Sequence, residues 1–164
     1  MWKDNPVFWP PSTGWDINWS RPRNEDYRKN TATGEPGSSM TIKVLIIDDE
    51  EDNRQIANLA LTMIGGWTVI EADGGEAGVR LAESEKPDVI LLDFVMNPMN
   101  GLDTLKALRG NSSTEKIPVI FVSTKSLQER EKELRDAGAQ GILQKPFNPT
   151  QLPEMIKSIT GIGS

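Results

Sequence analysis

Four apolar runs of this sequence end in side chains that can do chemistry together. Lys43 to Ile47 runs into Asp48-Asp49, Val89 to Leu92 into Asp93, Val119 to Val122 into Ser123-Thr124, and Gly141 to Gln144 into Lys145-Pro146. The chain has no Cys and no His, which excludes disulfides, thiolate metal sites and Cys nucleophiles and removes the usual general base. Carboxylates, hydroxyls and Lys remain. If the runs are neighbouring parallel strands, their tips surround one crevice, where two ionised carboxylates about 4 Å apart repel by roughly 4 kcal/mol at an effective dielectric near 20. A divalent, oxygen-preferring cation such as Mg²⁺ removes that repulsion, with water and a phosphoryl oxygen completing its shell. Lys145 supplies further positive charge. Asp93, held ionised by both, is the predicted nucleophile toward a phosphoryl group and would form an acyl phosphate. Such a transfer needs positioning and charge neutralisation more than a base.

The elements that must position these groups can be read from periodicity. Val89-Ile90-Leu91-Leu92 is apolar without alternation, as in a parallel strand covered on both faces, whose ligands gather beyond its carboxyl end. Around it, strand-like and helix-like segments alternate from Met40 onward. A first strand is predicted over 42–47, then a helix from about Asn53 to Ile64 with Ile56, Leu59, Ala60 and Met63 at helical spacing, stopped by Gly65-Gly66. Thr68 to Ala72 is the second strand, and 75–84 a second helix with Ala77, Leu81 and Ala82 inward. After the loop Phe94 to Gly101, Leu102, Leu105 and Leu108 mark a third helix that Gly110 can cap. Pro118 opens the fourth strand. Leu127 to Ala137 is a very polar fourth helix held by Leu127, Leu134 and Ala137. A fifth strand over 141–145 and a last helix lined by Leu152, Met155, Ile156 and Ile159 complete the pattern. Five βα units are too few for an eight-fold barrel, so the predicted fold is an open, doubly wound α/β sheet.

Residues 1–39 read differently. They hold Trp2, Trp9, Trp15 and Trp19, four of the five Trp, and are punctuated by Pro6, Pro10, Pro11, Pro22 and Pro36. Lys3, Arg21, Arg23, Arg28 and Lys29 cancel Asp4, Asp16, Glu25, Asp26 and Glu35, so the net charge of −6 belongs to residues 40–164. That charge argues against nucleic-acid binding. No apolar run approaches the roughly 18 residues of a membrane span, and the first residues form no signal peptide, so a soluble, cytoplasmic protein is expected. Disordered tails are poor in aromatics, whereas Trp2, Phe8, Trp9, Trp15, Trp19 and Tyr27 are the side chains of binding hot spots. Residues 1–30 are therefore expected to be an irregular docking peptide, residues 31–39 a flexible linker and residues 40–164 the folded domain. Gly37-Ser38-Ser39 directly before Met40 looks like an engineered junction, in which case the peptide is a fused fragment of a partner.

Asp48-Asp49 after the first strand, Asp93 after the third, Ser123 after the fourth and Lys145-Pro146 after the fifth resemble the receiver domain of bacterial two-component response regulators, over residues 41–160. The resemblance implies a flavodoxin-like five-stranded parallel sheet of order 2-1-3-4-5 with five helices. It implies that Asp49 ligates Mg²⁺ directly, that Asp48 acts mainly through water, and that the Val95 carbonyl and Asp93 complete the metal site. Ser123 would bond a phosphoryl oxygen on Asp93, and a cis Lys145-Pro146 bond would aim the ammonium. The implied donor is a sensor histidine kinase or phosphotransfer protein, and the implied output is contact with another protein through the fourth helix, fifth strand and fifth helix. The tail peptide is expected on the fourth helix and the neighbouring fifth strand. Two departures stand out. Met96-Asn97-Pro98 replaces the usual Met-Pro beyond the nucleophile, with Gly101 retained, and Ile142 stands where the family commonly has the Tyr or Phe that swings inward with the hydroxyl.

Alone, Asp48-Asp49 would read as a helix-entry cap and Ser123 as a strand-end hydrogen-bonding group. The charged stretch 128–135 reads equally as a solvated face or a partner surface. An Asp-based phosphatase needs a second acid where Val95 stands, and a nucleotide site needs a glycine-rich loop after the first strand, which is missing. The remaining alternative is a receiver-like interaction module that does not turn over phosphate.

Overall fold

A computed structural model describes residues 7–8, 41–124 and 127–163. Its centre is β4 (Val89–Asp93), buried along its whole length. Strand β2 (Lys43–Ile47) lies on one side of it and β5 (Val119–Ser123) on the other, with β3 (Thr68–Ala72) beyond β2 and β6 (Gly141–Gln144) beyond β5, all parallel. Counted among the parallel strands alone, this is the predicted order 2-1-3-4-5. Alternate residues of each strand enter opposite cores. Val44, Ile46, Leu91, Ile120, Val122 and Leu143 pack in one, whereas Leu45, Ile47, Ile90, Leu92, Phe121 and Ile142 pack in the other. The sheet is therefore wound on both faces, and burial without alternation follows from that.

Helices α1 (Glu51–Met63) and α5 (Leu152–Thr160) cover the first face, α2 (Gly75–Glu85), α3 (Gly101–Arg109) and the short α4 (Glu131–Asp136) the second. The face of α1 differs from the expected one. Ala57, Ala60 and Leu61 are buried, while Ile56, Leu59 and Met63 are 50%, 63% and 75% exposed. Two small Ala residues let the helix approach the sheet more closely than the larger stripe could, so the bulky residues are rotated outward. The polar fourth helix is also shorter than predicted. It opens with a 3-10 turn over Gln128–Arg130 and buries only Leu134 in its α-helical part.

A sixth strand was not expected. Val7–Phe8 forms β1, antiparallel to β6, with Val7 opposite Ile142 and Phe8 opposite Gly141. The sheet order is thus β1-β6-β5-β4-β2-β3. The remainder of the predicted docking peptide and the predicted linker over 31–39 lie outside the described residues.

Candidate functional site

The parallel register delivers the predicted side chains to one end of the sheet. Asp48 follows β2, Asp93 closes β4 opposite Val122, and Ser123 closes β5 opposite Gln144, one residue before Lys145. Asp48 and Asp93 are buried at 4% and 6% exposure, Ser123 is fully buried, and Asp49 is exposed. Carboxylate oxygens of Asp48, Asp49 and Asp93 all lie within 4.8 Å of one another. Lys145 Nζ lies 3.1 Å from Asp48 Oδ2 and 3.7 Å from Asp93 Oδ1. The ammonium joins two of the three carboxylates.

Burial pushes the Asp93 carboxyl up to about 6, aided by the negative charges of Asp48 and Asp49 and opposed by Lys145 and by the Val95 N–H, which donates to it. A group held this way gains from a nearby cation. The donor set is all oxygen, carries three carboxylates and has one open, exposed member, which suits Mg²⁺. Val95 touches Asp93 through its N–H, and its side chain is half exposed.

Several supports escaped the sequence reading. The Glu50 N–H donates to Asp48 Oδ1 at 2.9 Å, and Arg54 Nη1 donates to the Asp48 carbonyl at 2.7 Å while its Nε pairs with Glu71 at 3.2 Å. These contacts fix the tip of β2. Beyond β4, Gly101 sits where a Cβ would lie 2.5 Å from the Asp93 carbonyl oxygen and 2.8 Å from Phe94 Cα. The Gly101 N–H donates to the Phe94 carbonyl at 2.9 Å, and Asn100 Oδ1 accepts the Asp103 N–H at 2.8 Å, so α3 starts hard against the backbone of Asp93 and Phe94. The retained glycine was the visible signal for this approach. Phe94, next to Asp93, packs edge-on against Phe121 with ring centroids 5.4 Å apart, and the Arg130 guanidinium lies 4.9 Å above its ring.

Lys145-Pro146 is cis, as expected, and so is Asn97-Pro98 within the departing loop. Ile142 is 2% exposed, buried beside Phe121, Leu105 and Leu134. A groove of about 340 Å³ opens from Asp93 and Lys145 toward α1, lined by Asn53, Ile56, Pro146 and Phe147 among others.

Comparison with known proteins agrees with this geometry. Residues 44–157 match the family described as the response regulator receiver domain. A chemotaxis protein CheY homolog of Campylobacter jejuni is 34% identical over 124 residues, 75% of this chain and 95% of its own length. Protein PilH of Pseudomonas aeruginosa is 34% identical over 117 residues, 71% of this chain and 96% of its own. The structure of Vibrio cholerae chemotaxis protein CheY4 superposes with a TM-score of 0.69 at 32% identity, covering 73% of this chain and 98% of that one. With the strand order, the tip residues and the family match in agreement, this chain belongs to the response regulator receiver domain family.

Proposed function

We propose that residues 40–164 are the phosphoacceptor receiver of a two-component phosphorelay and that Asp93 takes the phosphoryl group in a Mg²⁺-dependent step. The observation that carries this reading is the buried Asp93 carboxylate, with the Lys145 ammonium 3.7 Å away and two further carboxylates within 4.8 Å. An Asp93 oxygen attacks phosphorus, the bond from phosphorus to the donor's leaving group breaks, and the donor departs with that bond's electron pair. Lys145 balances charge on the transferring group, and Ser123, at the adjacent strand tip, donates to a phosphoryl oxygen once Asp93 is modified. Asp49, Asp93 and the Val95 carbonyl would hold Mg²⁺ directly and Asp48 through water; the ion's part is to neutralise negative charge. Beyond its own phosphoryl transfer and dephosphorylation the chain catalyses nothing.

The donor is a sensor histidine kinase or phosphotransfer protein, reaching Asp93 through the groove beside α1. Output is contact with another protein on the face formed by α4, β6 and α5, in the cytoplasm and without nucleic acid. Among the described residues no helix is long and apolar enough to cross a membrane.

Incubation with acetyl phosphate and Mg²⁺ tests the reading. Intact mass should show one added phosphoryl group, absent without Mg²⁺ and absent in Asp93→Asn. Undiminished labelling of Asp93→Asn refutes Asp93 as the acceptor, and a chain that takes no label under any condition is the interaction module instead.

A further inference from the structure

The parallel sheet has two edges, β3 and β6, and without a further strand the outer edge of β6 would be left as unpaired backbone. Sheets guard such edges with Pro, Lys, bulges or a covering segment. β6 carries none of the first three, being Gly-Ile-Leu-Gln in regular register with β5. Gly141 serves the helix side, since a Cβ there would lie 2.7 Å from Ile159 Cγ2. The guard is β1. Its sequence suits the task, because Val and Phe favour pleated surfaces. Pro6 precedes the pair and Pro10-Pro11 follow it, and Pro cannot donate to a ladder, so the added strand is limited to the residues between them.

The register places this strand against the readout side of the molecule. Val7 stands opposite Ile142, whose side chain packs with Phe121 and Leu134, and Phe121 in turn contacts Phe94 beside Asp93. β6 itself is followed directly by Lys145. Backbone pairing at this edge therefore restrains the strand that carries Ile142 and leads into Lys145.

We propose that the outer edge of β6 is a strand-addition docking site, occupied in cis by Val7–Phe8. The N-terminal segment thereby closes the edge that lies between α4 and α5 to other proteins. A partner reading this edge must present a short extended apolar segment and displace β1. Strand addition of this kind draws affinity from main-chain hydrogen bonds and specificity from alternate side chains. A tethered strand competes at an effective concentration on the order of millimolar, so a free segment with the same contacts loses to it.

The test uses the full chain and a full-length Val7→Pro/Phe8→Pro variant, which removes the strand's N–H donor toward β6 whichever of the two residues supplies it and leaves the receiver core untouched. Amide exchange over 141–143 should be at least tenfold faster in the variant, while amides of β4 and the thermal midpoint stay unchanged. A synthetic peptide of residues 1–19, added to the variant, should restore protection at 141–143 and should bind the unaltered chain at least tenfold more weakly. Equal exchange in the two proteins refutes occupancy in cis. Equal peptide affinity, or peptide binding that leaves 141–143 unprotected, refutes the edge as the docking site. Acetyl phosphate labelling of both proteins reports separately on the receiver chemistry, whose acceptor and acidic groups lie at the tips of β2 and β4.

Discussion

The tips of β2 and β4 and the region of β5, α4 and β6 are built on different principles. The first is an electrostatic assembly held from several directions. Asp48 is fixed by the Glu50 N–H, Arg54 and Lys145, and Asp93 is pressed by the start of α3 through Gly101. The second is held chiefly by packing. α4 has six residues, anchors by Leu134 and the preceding Leu127, and meets the nucleophile's loop through Arg130 over Phe94. Charge must be placed to within a fraction of an ångström for chemistry, whereas a readout surface must be able to move. Under the proposed function, the rigid strands serve the first task and the lightly anchored helix the second.

The largest effect on this division comes from removing the acid that opens the metal site. Asp49→Asn should lower Mg²⁺ affinity at least tenfold, read by calorimetry, and should slow acetyl phosphate labelling in proportion. Because Asp49 is exposed, stability should hardly change. A variant with unaltered Mg²⁺ affinity would break the assignment of metal binding to the β2 tip.

Why the acidic half was legible in sequence and the readout half less so follows from the same contrast. Asp48, Asp49, Asp93, Ser123 and Lys145 each end a continuous apolar run, and a parallel sheet maps such run-ends to one edge. The resemblance could therefore be stated from residue types and spacing, and the strand order followed from the resemblance. Nothing in the spacing announced which stripe of α1 faces inward, since Ile56, Leu59 and Met63 are as periodic as Ala57, Ala60 and Leu61, and only the distance of closest approach to the sheet separates them. The pairing of Val7–Phe8 with β6 was equally invisible, because two residues carry no period. Arg130 over Phe94 joins residues distant in sequence through a geometry that neither residue type demands.

The close approach at Gly101 gives the next effect. Gly101→Ala places a Cβ against backbone at 2.5 and 2.8 Å, so α3 must shift away from Asp93. A loss of about 1–3 kcal/mol in stability is expected from such overpacking, measured by urea denaturation, together with slower labelling because the nucleophile's backbone moves. An equally stable, equally reactive variant would show that α3 does not position Asp93.

Protonation separates the two regions further. The Asp93 carboxyl is raised from 3.8 to about 6 by burial and by Asp48 and Asp49. The folded chain thus holds this proton more tightly than the unfolded chain does. Its contribution to stability is complete below about pH 4 and is lost as pH rises through about 6. Without Mg²⁺, the Asp93→Asn protein should therefore be the more stable one at pH 7.5, by about 1–2 kcal/mol once solvent screening of the crevice is allowed for. The difference should vanish near pH 4. Thermal melts at the two pH values check this, and saturating Mg²⁺ should close the gap at pH 7.5. A wild-type protein that is the more stable at pH 7.5 without metal would contradict the charge crowding described here.

The smallest expected effect probes the cation–π contact between the regions. Arg130 stacks on Phe94 at 4.9 Å and directs its fork at Glu133, with bonds of 2.9 Å from both Nε and Nη2. The side chain is 42% exposed, so the stacking is worth about 0.5–1 kcal/mol. Arg130→Ala should leave Mg²⁺ binding and the labelling of Asp93 unchanged, because the residue touches neither the carboxylates nor Lys145. What it should alter is the response to phosphorylation. Ile142 has no ring hydroxyl to exchange between buried and exposed partners, so the change across 127–145 is expected to be modest in the wild-type chain. The Phe94–Arg130 stack ties the start of α4 to the residue after Asp93. With it removed, the difference in amide exchange over 128–136 between the free and beryllofluoride-bound forms should shrink, while the difference around Asp93 persists. Arg130→Lys keeps the charge but loses the planar stack, and should behave like Arg130→Ala if stacking carries the coupling. A full wild-type difference over 128–136 in both variants would mean that the two regions communicate through β5 and Phe121 alone.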